Sequence, residues 1–211
     1  MYTLYYAPGA ASLVVHWLLL ELDVPFEARR LDVDAREHKQ PAYLALNPAG
    51  VIPTLLVDGK PVVETGAIVA LLAARHPDKA LMPSAADERY PAFLQAMFRI
   101  SNGLQPPFRH WFYPQDITDE SGTDTVKQKV RAQIEGEWDR WSTWIGSSAG
   151  GYLLGGQVSA VDFYLTMVMR WSRNMPRPAT DWAPLAEFAQ RMKARPSFAE
   201  LYRREGLTEW S

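Results

Sequence analysis

Two short stretches of the chain carry groups suited to holding a small peptide. In Ile52-Pro53 a proline opens a strand directly after a loop, which is a typical setting for a cis peptide bond. A sharp turn there would leave the amide and carbonyl of Ile52 unpaired with the sheet, so that an extended peptide can pair with them as an added strand does. Glu64-Thr65 stands at the start of a predicted helix, whose unpaired amides and partial positive charge suit a carboxylate. The same spacing also fits an ordinary edge-strand proline and a simple helix cap.

Composition excludes or disfavours several other kinds of chemistry. The 211 residues include no cysteine, which excludes disulfides, thiolate metal sites and any mechanism that uses a thiol of the protein. The four histidines form no H-E-x-x-H pair, and the acidic stretch 116–124 lacks the spacing of a calcium loop, so we expect no metal. The 24 acidic and 22 basic residues give a formal net charge of −2, which argues against a nucleic-acid partner because such a partner requires a basic face.

The sequence also predicts a soluble protein. Its apolar fraction of 47% is ordinary for a chain with a packed core. The longest apolar stretch, at 13–22, is interrupted by His16 and Glu21 and is too short to span a bilayer. The first residues have no basic region ahead of an apolar one, so they predict a strand rather than a signal peptide. We therefore expect a cytoplasmic protein without a membrane partner.

The elements that must position the two peptide-holding stretches alternate between strand and helix. Aromatic and β-branched runs bounded by turn signals predict strands at 2–6, 26–33, 54–57 and 61–63. Apolar residues at helical spacing predict helices at 12–22, 40–46 and 65–75. The resulting order, βαβαββα, indicates an α/β domain over residues 1–80.

The character of the chain changes after this domain. Residues 81–87 form a predicted linker, and helical spacing then recurs at 90–102, 125–145, 160–172 and 184–194. Residues 88–211 are therefore predicted to form an all-α domain. Ser159-x-x-Asp162 has the pattern of a capping box at the start of the third of these helices. We interpret the box as structural, and a catalytic acid at Asp162 is the alternative.

Several motifs taken together resemble those of a cytosolic glutathione S-transferase. They are Asn47-Pro48-x-Gly50-x-Ile52-Pro53, Glu64-Thr65-Gly66-Ala67-Ile68 and Ser159-x-x-Asp162. The opening segment 4–13 and the segment 165–171 are similar to the bacterial beta class of that family. The resemblance covers nearly the whole chain. It implies a thioredoxin-like first domain, a homodimer, and conjugation of the co-substrate glutathione to hydrophobic electrophiles.

The resemblance also implies roles for individual residues of the first domain. Ile52 would make backbone bonds to the cysteinyl part of glutathione, with Pro53 in the cis form. Glu64 and Thr65 would hold the γ-glutamyl end. Arg36 would lie near the glycyl carboxylate, whose two oxygens suit the fork of a guanidinium. The mixed charges around Arg36 are equally typical of a solvated surface.

Two residues depart from the beta-class pattern. Ala11 stands where that class has a cysteine, and Gln105 aligns with a histidine on the first long helix of the second domain. Activation of the thiol then falls to a hydroxyl, for which Ser12 is the first candidate and Tyr6 the second. Lowering a thiol pKa from about 8.5 by two units requires about 2.7 kcal/mol. One hydrogen bond to the thiolate supplies about 1.5–3 kcal/mol and the helix terminus adds to it. A plain helix cap at Ser12 and a core ring at Tyr6 are the structural alternatives.

The sequence gives less information about the site for the acceptor substrate than about the glutathione site. The resemblance places it between the domains, and the candidate lining residues are Ala11, Gln105, Phe108, Trp111 and Trp171. Pro106-Pro107 is expected to bend or end the helix after Gln105 and so to redirect the residues that follow. The stripe Trp138, Trp141 and Trp144 predicts core or a subunit contact.

The sequence leaves four interpretations of function open. The first is a transferase that attacks electrophiles with bound glutathione, and the second is a glutathione-dependent isomerase or reductase on the same scaffold. The third is a protein that binds glutathione or apolar ligands with little turnover, which the missing cysteine and histidine would favour. The fourth is a scaffold for protein contacts, which retention of Ile52-Pro53 and Glu64-Thr65 disfavours.

Overall fold

The computed structural model describes residues 1–210 and divides the chain into two compact units. The first consists of Met1–Met82 together with the chain from Lys193 on, and the second is Pro83–Met192. The boundaries predicted from the sequence, 1–80, 81–87 and 88–211, stay a proposal. The last helix follows Lys193 and belongs to the first unit through its contacts.

The first unit is built on a four-stranded sheet. Its strands are β1 (Tyr2–Tyr6), β2 (Phe26–Arg30), β3 (Thr54–Val57) and β4 (Lys60–Val62), in the order β2-β1-β3-β4. Strand β1 pairs with β2 in parallel and with β3 antiparallel, and β3 pairs antiparallel with β4. The helices of this unit are α1 (Leu13–Glu21), α2 (Pro41–Leu44), α3 (Thr65–Arg75) and, from the end of the chain, α9 (Pro196–Glu205). The predicted βαβαββα order is confirmed.

Helix α1 is the centre of the first unit. Its residues from Leu13 to Leu19 are all buried, which explains why the apolar face seen in the sequence is so broad. The helix packs against α3 and α9. Each fully buried aliphatic side chain contributes about 1.5–3 kcal/mol to the free energy of unfolding, so this helix fixes the position of the loop that precedes it.

Strand β2 ends earlier than the sequence predicts. The strand stops at Arg30 rather than at residue 33. The carboxylate of Asp32 accepts hydrogen bonds from the amides of Asp34 and Ala35, both at 2.9 Å. Such local bonds compete with a strand ladder and begin a turn instead.

Helix α9 is an element that the sequence interpretation missed. Pro196 is its first residue and Gly206 follows it in the left-handed conformation, so its start and stop signals are those of an ordinary helix. It packs on α1, where the indole Nε1 of Trp17 donates to Ser197 Oγ over 2.8 Å. Arg195 and Glu21 form an ion pair beside this contact.

The second unit is helical. Its helices are α4 (Tyr90–Arg99), α5 (Gln105–Phe112), α6 (Thr123–Ser147), α7 (Ala160–Trp171) and α8 (Ala183–Lys193), whose last residue already belongs to the first unit. Trp138 and Trp141 are fully buried, and Trp144 stacks on Trp141 with 5.3 Å between the ring centroids. Trp138 and Trp141 therefore lie in the core, and the half-buried Trp144 packs at its edge.

The predicted bend near Pro106-Pro107 lies before Gln105 and not after it. Residues Ile100–Leu104 form a π-helical turn between α4 and α5, in which the amide of Gln105 donates to the carbonyl of Ile100. The two prolines have no amide hydrogen, so they cannot continue the α-helical ladder, and the wider turn accommodates them at the start of α5.

Helix α7 begins with the predicted capping box. Asp162 Oδ2 accepts from the amide and the hydroxyl of Ser159, at 2.7 and 2.6 Å, and Oδ1 accepts from the amide of Leu153 at 2.8 Å. Burial raises the pKa of the Asp162 carboxyl to about 6, although these hydrogen bonds act to lower it. Two backbone amides and the Ser159 hydroxyl use both carboxylate oxygens, which supports the structural interpretation.

Candidate functional site

The turn before β3 presents an unused backbone edge. The Ile52-Pro53 peptide bond is cis, as the sequence predicts. Within residues 1–210, the amide and carbonyl of Ile52 take part in no hydrogen bond, whereas β3 begins to pair with β1 at Thr54. An extended ligand backbone can pair with these two groups.

The loop from Asn47 to Val51 holds this turn in place. The buried Asn47 donates from Nδ2 to the carbonyl of Val51 over 2.8 Å, and its Oδ1 accepts from the amide of Ala49. The hydroxyl of Tyr43 donates to the same Val51 carbonyl over 2.7 Å. Gly50 has a φ of +58°, a conformation in which glycine carries no steric penalty. The turn is therefore fixed without any contribution from Ile52.

The start of α3 offers an exposed carboxylate above unpaired amides. Glu64 has a φ of +70° and a ψ of +113°, outside the region that side-chain-bearing residues favour, and its carboxylate makes no capping bond. In the described chain the amides of the next three residues, Thr65 to Ala67, find no acceptor. A strained residue of this kind costs of order 1–3 kcal/mol and is concentrated at functional sites.

Ser12 lies at the start of α1 but does not cap it. The side chain is fully buried, and its Oγ donates to the carbonyl of Ala7 over 3.1 Å and accepts from the Ala7 amide over 3.2 Å. The hydroxyl therefore closes the turn from Ala7 to Ser12. In residues 1–210 the backbone amides of Ala11 and Ser12, like those of Val14 and Val15 in the first turn of α1, have no acceptor.

Tyr6 faces α1 from the end of β1. The residue is 8% exposed, and its ring lies 5.1 Å from that of His16 in an edge-to-face arrangement. Burial, followed by the charge of Glu205, raises the pKa of the Tyr6 hydroxyl. These surroundings are those of a core ring with a poorly acidic hydroxyl.

A buried carboxylate lies close to the same loop. Glu205, at the end of α9, accepts from the amide of Gly9 at 2.8 Å and pairs with Nδ1 of His16 at 2.8 Å. The sequence interpretation missed it together with α9. The signal was present, because Glu205 continues the buried stripe Phe198, Leu201, Tyr202 at helical spacing.

Arg36 does not line the cavity beside α2. Arg36 is exposed with a φ of +58°, and its guanidinium has no partner within the described residues. A cavity of about 310 Å³ is lined by Tyr5, Leu31, Glu37, Gln40, Ala42, Tyr43 and Leu46. None of the site residues predicted from the sequence lines this cavity.

The acceptor-site candidates of the second unit have different surroundings. Phe108 is fully buried among the rings of Phe112, Trp138 and Trp171, with centroids 5.8 to 6.1 Å away. Gln105 is partly exposed, and its side-chain oxygen accepts from the hydroxyl of Tyr164. Trp111 lies elsewhere, with Nζ of Lys127 5.7 Å from its ring. Phe108 and Trp171 are thus brought together, and Phe108 is a core ring.

Residues 1–210 contain neither a cluster of metal-ligating side chains nor a helix able to cross a membrane. No group of three or more histidine, aspartate or glutamate side chains is arranged to hold a metal ion within residues 1–210. Among the described helices, none combines the length and apolar character needed to cross a membrane.

Comparison with known proteins identifies the family. Residues 1–74 match the model of the glutathione S-transferase N-terminal domain. The chain is 31% identical over 207 residues to glutathione S-transferase GstA of Escherichia coli O157:H7, which covers 97% of this chain and 98% of the relative. The chain belongs to the glutathione S-transferase family. The motifs at 47–53, 64–68 and 159–162 therefore indicated the correct family.

Solved structures of glutathione S-transferases have the same fold. A glutathione transferase homologue from Sulfitobacter, solved with bound glutathione, is 27% identical with a TM-score of 0.89 and 99% coverage of both chains. A bacterial beta-class glutathione S-transferase from Sphingomonas chungbukensis has a TM-score of 0.85 over 98% of this chain and all of that chain. At 23% identity the second comparison shows the fold alone. The predicted fold class, a thioredoxin-like first domain followed by a helical one, is confirmed.

Proposed function

We propose that this glutathione S-transferase binds glutathione along Ile52-Pro53 and the start of α3, and transfers its thiolate to hydrophobic electrophiles. The observation that carries the proposal is the combination of two unused binding groups in one unit. The backbone of Ile52 is unpaired beside β3, and Glu64 is held in a strained conformation with a carboxylate that makes no capping bond. A γ-glutamyl peptide has the complementary groups.

Each end of glutathione has a partner of suitable charge. The α-amino group of the γ-glutamyl residue would pair with the Glu64 carboxylate, while its α-carboxylate would accept from Thr65 and the amides that follow. The backbone of the cysteinyl residue would pair with Ile52, with Pro53 holding the turn. The guanidinium of Arg36 would bind the glycyl carboxylate through both oxygens.

The thiol end differs from the interpretation drawn from the sequence. The Ser12 hydroxyl donates to Ala7, so it could donate to a thiolate only after breaking that bond. Tyr6 is a buried ring whose hydroxyl has a raised pKa. We therefore propose that the unpaired amides of Ala11 and Ser12 stabilise the thiolate. Two hydrogen bonds to a charged group supply about 3–6 kcal/mol, more than the roughly 2.7 kcal/mol that a shift of two pKa units requires.

The reaction that follows is a simple nucleophilic transfer. The thiolate sulfur forms a bond to an electrophilic carbon, and either a leaving group departs with the electron pair or the pair moves onto a conjugated acceptor that is then protonated. Ala11 of the first unit and Gln105, Trp111 and Trp171 of the second are the proposed acceptor-site residues, and Phe108 packs against Trp171. We further propose that the protein is a cytoplasmic homodimer, since the family relationship favours both.

A second function is favoured by one observation. The chain has no cysteine, and Gln105 stands where the beta class has a histidine, so the groups used by that class at the thiol are absent. A protein that binds glutathione with little turnover is the alternative, and binding and turnover must be measured separately.

Calorimetric titration with glutathione tests the binding part of the proposal. We expect micromolar to millimolar binding by the purified protein, and about tenfold weaker binding by Glu64→Gln, because the substitution removes the charge that faces the α-amino group. Asp78→Asn is the matched control, since Asp78 is another exposed carboxylate of the same unit. No heat of binding at millimolar glutathione, or equal loss in both variants, would contradict the proposal.

A further inference from the structure

A buried carboxylate at the end of α9 joins this helix to α1 and to the loop before α1. The carboxylate of Glu205 is fully buried and His16 is 1% exposed, with 2.8 Å between Glu205 Oε1 and His16 Nδ1. The other carboxylate oxygen accepts from the amide of Gly9 at 2.8 Å. A carboxylate taken out of water is costly unless it is paired and hydrogen-bonded, and here both of its oxygens are used.

The orientation of the imidazole supports this arrangement. His16 Nε2 is buried and has no hydrogen-bond partner in the described chain, while the rings of Tyr6 and Phe26 lie edge-on to the imidazole. Nδ1 is therefore the nitrogen that takes part in hydrogen bonding, and it donates to Glu205. The position of the carboxylate is set by α1, and the carboxylate in turn sets the position of Gly9.

Gly9 belongs to the loop that carries the unpaired amides. The loop from Ala7 to Ser12 is closed by the Ser12 hydroxyl at its two ends, and Glu205 holds it near its middle. Gly9 has a φ of +69°, so the chain turns sharply at the residue that Glu205 holds. The direction in which the amides of Ala11 and Ser12 point depends on both restraints.

We propose that Glu205 is a positioning residue of the glutathione site. Its carboxylate, oriented by His16, fixes the Gly9 amide and thereby aims the amides of Ala11 and Ser12 at the thiol of glutathione. This inference rests on the proposed function. It makes the last helix of the chain part of the machinery that activates the thiol, at a distance of 196 residues along the sequence from Gly9.

The same helix pair supplies a control that separates positioning from packing. Ser197 accepts from Trp17 Nε1 and contacts Glu21, so it also joins α9 to α1. No hydrogen bond connects Ser197 to the loop from Ala7 to Ser12 among the described residues. Ser197→Ala removes a contact between the helices and leaves the loop restraint intact.

The test compares four variants of the full-length protein. Glu205→Ala removes both bonds, and Glu205→Asp is one methylene too short to reach Gly9 and His16 together. Glu205→Gln is isosteric and keeps a carbonyl oxygen for the Gly9 amide. For each variant and for Ser197→Ala, we would measure the glutathione Kd by calorimetry, KM and kcat with a hydrophobic electrophile, and hydrogen exchange of residues 7–12.

The results expected for the four variants distinguish a positioning role of Glu205 from a packing role. Glu205→Ala and Glu205→Asp should weaken glutathione binding about tenfold and speed exchange in residues 7–12, because one hydrogen bond that orders the loop is lost. Glu205→Gln should bind within about threefold of the unaltered protein. Ser197→Ala should lower the melting temperature and leave Kd, KM and loop exchange unchanged.

Two results would overturn the inference. One is glutathione binding and loop exchange in Glu205→Asp equal to those of the unaltered protein, and the other is a Glu205→Gln variant as weak as Glu205→Asp. If Glu205→Ala does not fold, Glu205→Asp and Glu205→Gln still decide the question. If the unaltered protein does not bind glutathione, the proposed function fails instead, and the two failures are distinguishable.

Discussion

At the scale of single residues, the hydroxyl of Ser12 has backbone partners that the residue type alone does not reveal. A serine at the start of α1 is a reasonable donor for a thiolate, but Ser12 is fully buried and bonded to both backbone groups of Ala7. The sequence gives the position of the hydroxyl along the chain and not the direction in which it points. We interpret Ser12 as the residue that shapes the loop whose amides we propose as the donors to the thiolate.

Ser12→Ala tests this interpretation of the thiol end. We expect the substitution to change the pKa of bound glutathione by less than one unit, because the donors are backbone amides that the variant retains. It should lower the free energy of unfolding by about 1–3 kcal/mol, because the Ala7 amide loses its acceptor in a buried place. The measurements are thiolate absorbance against pH and denaturant unfolding, with Tyr6→Phe measured in parallel. A rise of more than one unit in Ser12→Ala would assign the thiolate to the serine hydroxyl.

At the same scale, some site features could be predicted and others could not. The cis bond at Ile52-Pro53 followed from a proline at the start of a strand, which is a local property. The contacts of Glu205 could not be derived in the same way, because its partners Gly9 and His16 lie near the other end of the chain. Sequence spacing gives the buried stripe of α9 but not which loop its last residue faces.

At the scale of elements, the start of α7 is the clearest case in which local rules and the structure agree. The capping box Ser159-x-x-Asp162 was predicted and is present. What the pattern did not show is the third bond, from the amide of Leu153, which ties the preceding loop to the helix. Asp162 is therefore more deeply embedded than a surface cap.

The embedded carboxylate predicts a pH dependence of stability. Burial raises the pKa of Asp162 from 3.8 to about 6, so between these values the folded protein holds a proton that the unfolded chain releases. The contribution of this group is present in full below pH 4, is lost as the pH rises through 6, and amounts to roughly 3 kcal/mol. Denaturant unfolding from pH 4 to 7 should show this decline in the unaltered protein and not in Asp162→Asn. Parallel curves for the two proteins would contradict the raised pKa, and Asp78→Asn serves as the exposed control.

The junction between α4 and α5 shows a limit of prediction from element signals. Pro106-Pro107 predicted a disturbance of the helix, but the disturbance lies upstream, in the π-helical turn Ile100–Leu104. A proline removes the bond to the carbonyl four residues before it, so its effect on the ladder is felt in the preceding turn. The prediction correctly identified the two prolines as the cause of the bend, but it placed the bend after Gln105 rather than before it.

At the scale of the whole molecule, the order of strands and helices could be predicted from the sequence. The assignment of the last helix to the first unit could not. Apolar residues repeat every two positions in strands and about every 3.6 positions in helices. These local patterns predicted the order βαβαββα followed by further helices. The return of the chain from Lys193 to the first unit depends on the contact of α9 with α1, which joins residues nearly two hundred positions apart. Such long-range contacts leave no periodic signal.

The oligomeric state of the protein can be predicted from its family. The chain has a mass of 23.9 kDa, and we expect a homodimer of twice that mass at micromolar concentration. Sedimentation equilibrium is the direct measurement, and a single species with the mass of one chain would rule the dimer out.

The ionisation of bound glutathione tests the proposed thiol activation most directly. We propose that this glutathione S-transferase stabilises the thiolate through the amides at the start of α1, without a cysteine or a dedicated hydroxyl. Thiolate absorbance of the saturated complex should titrate about two pH units below the value of about 8.5 for a free thiol. A bound thiol that titrates at its ordinary value would contradict the claim, and it would favour the alternative of a protein that holds glutathione without activating it.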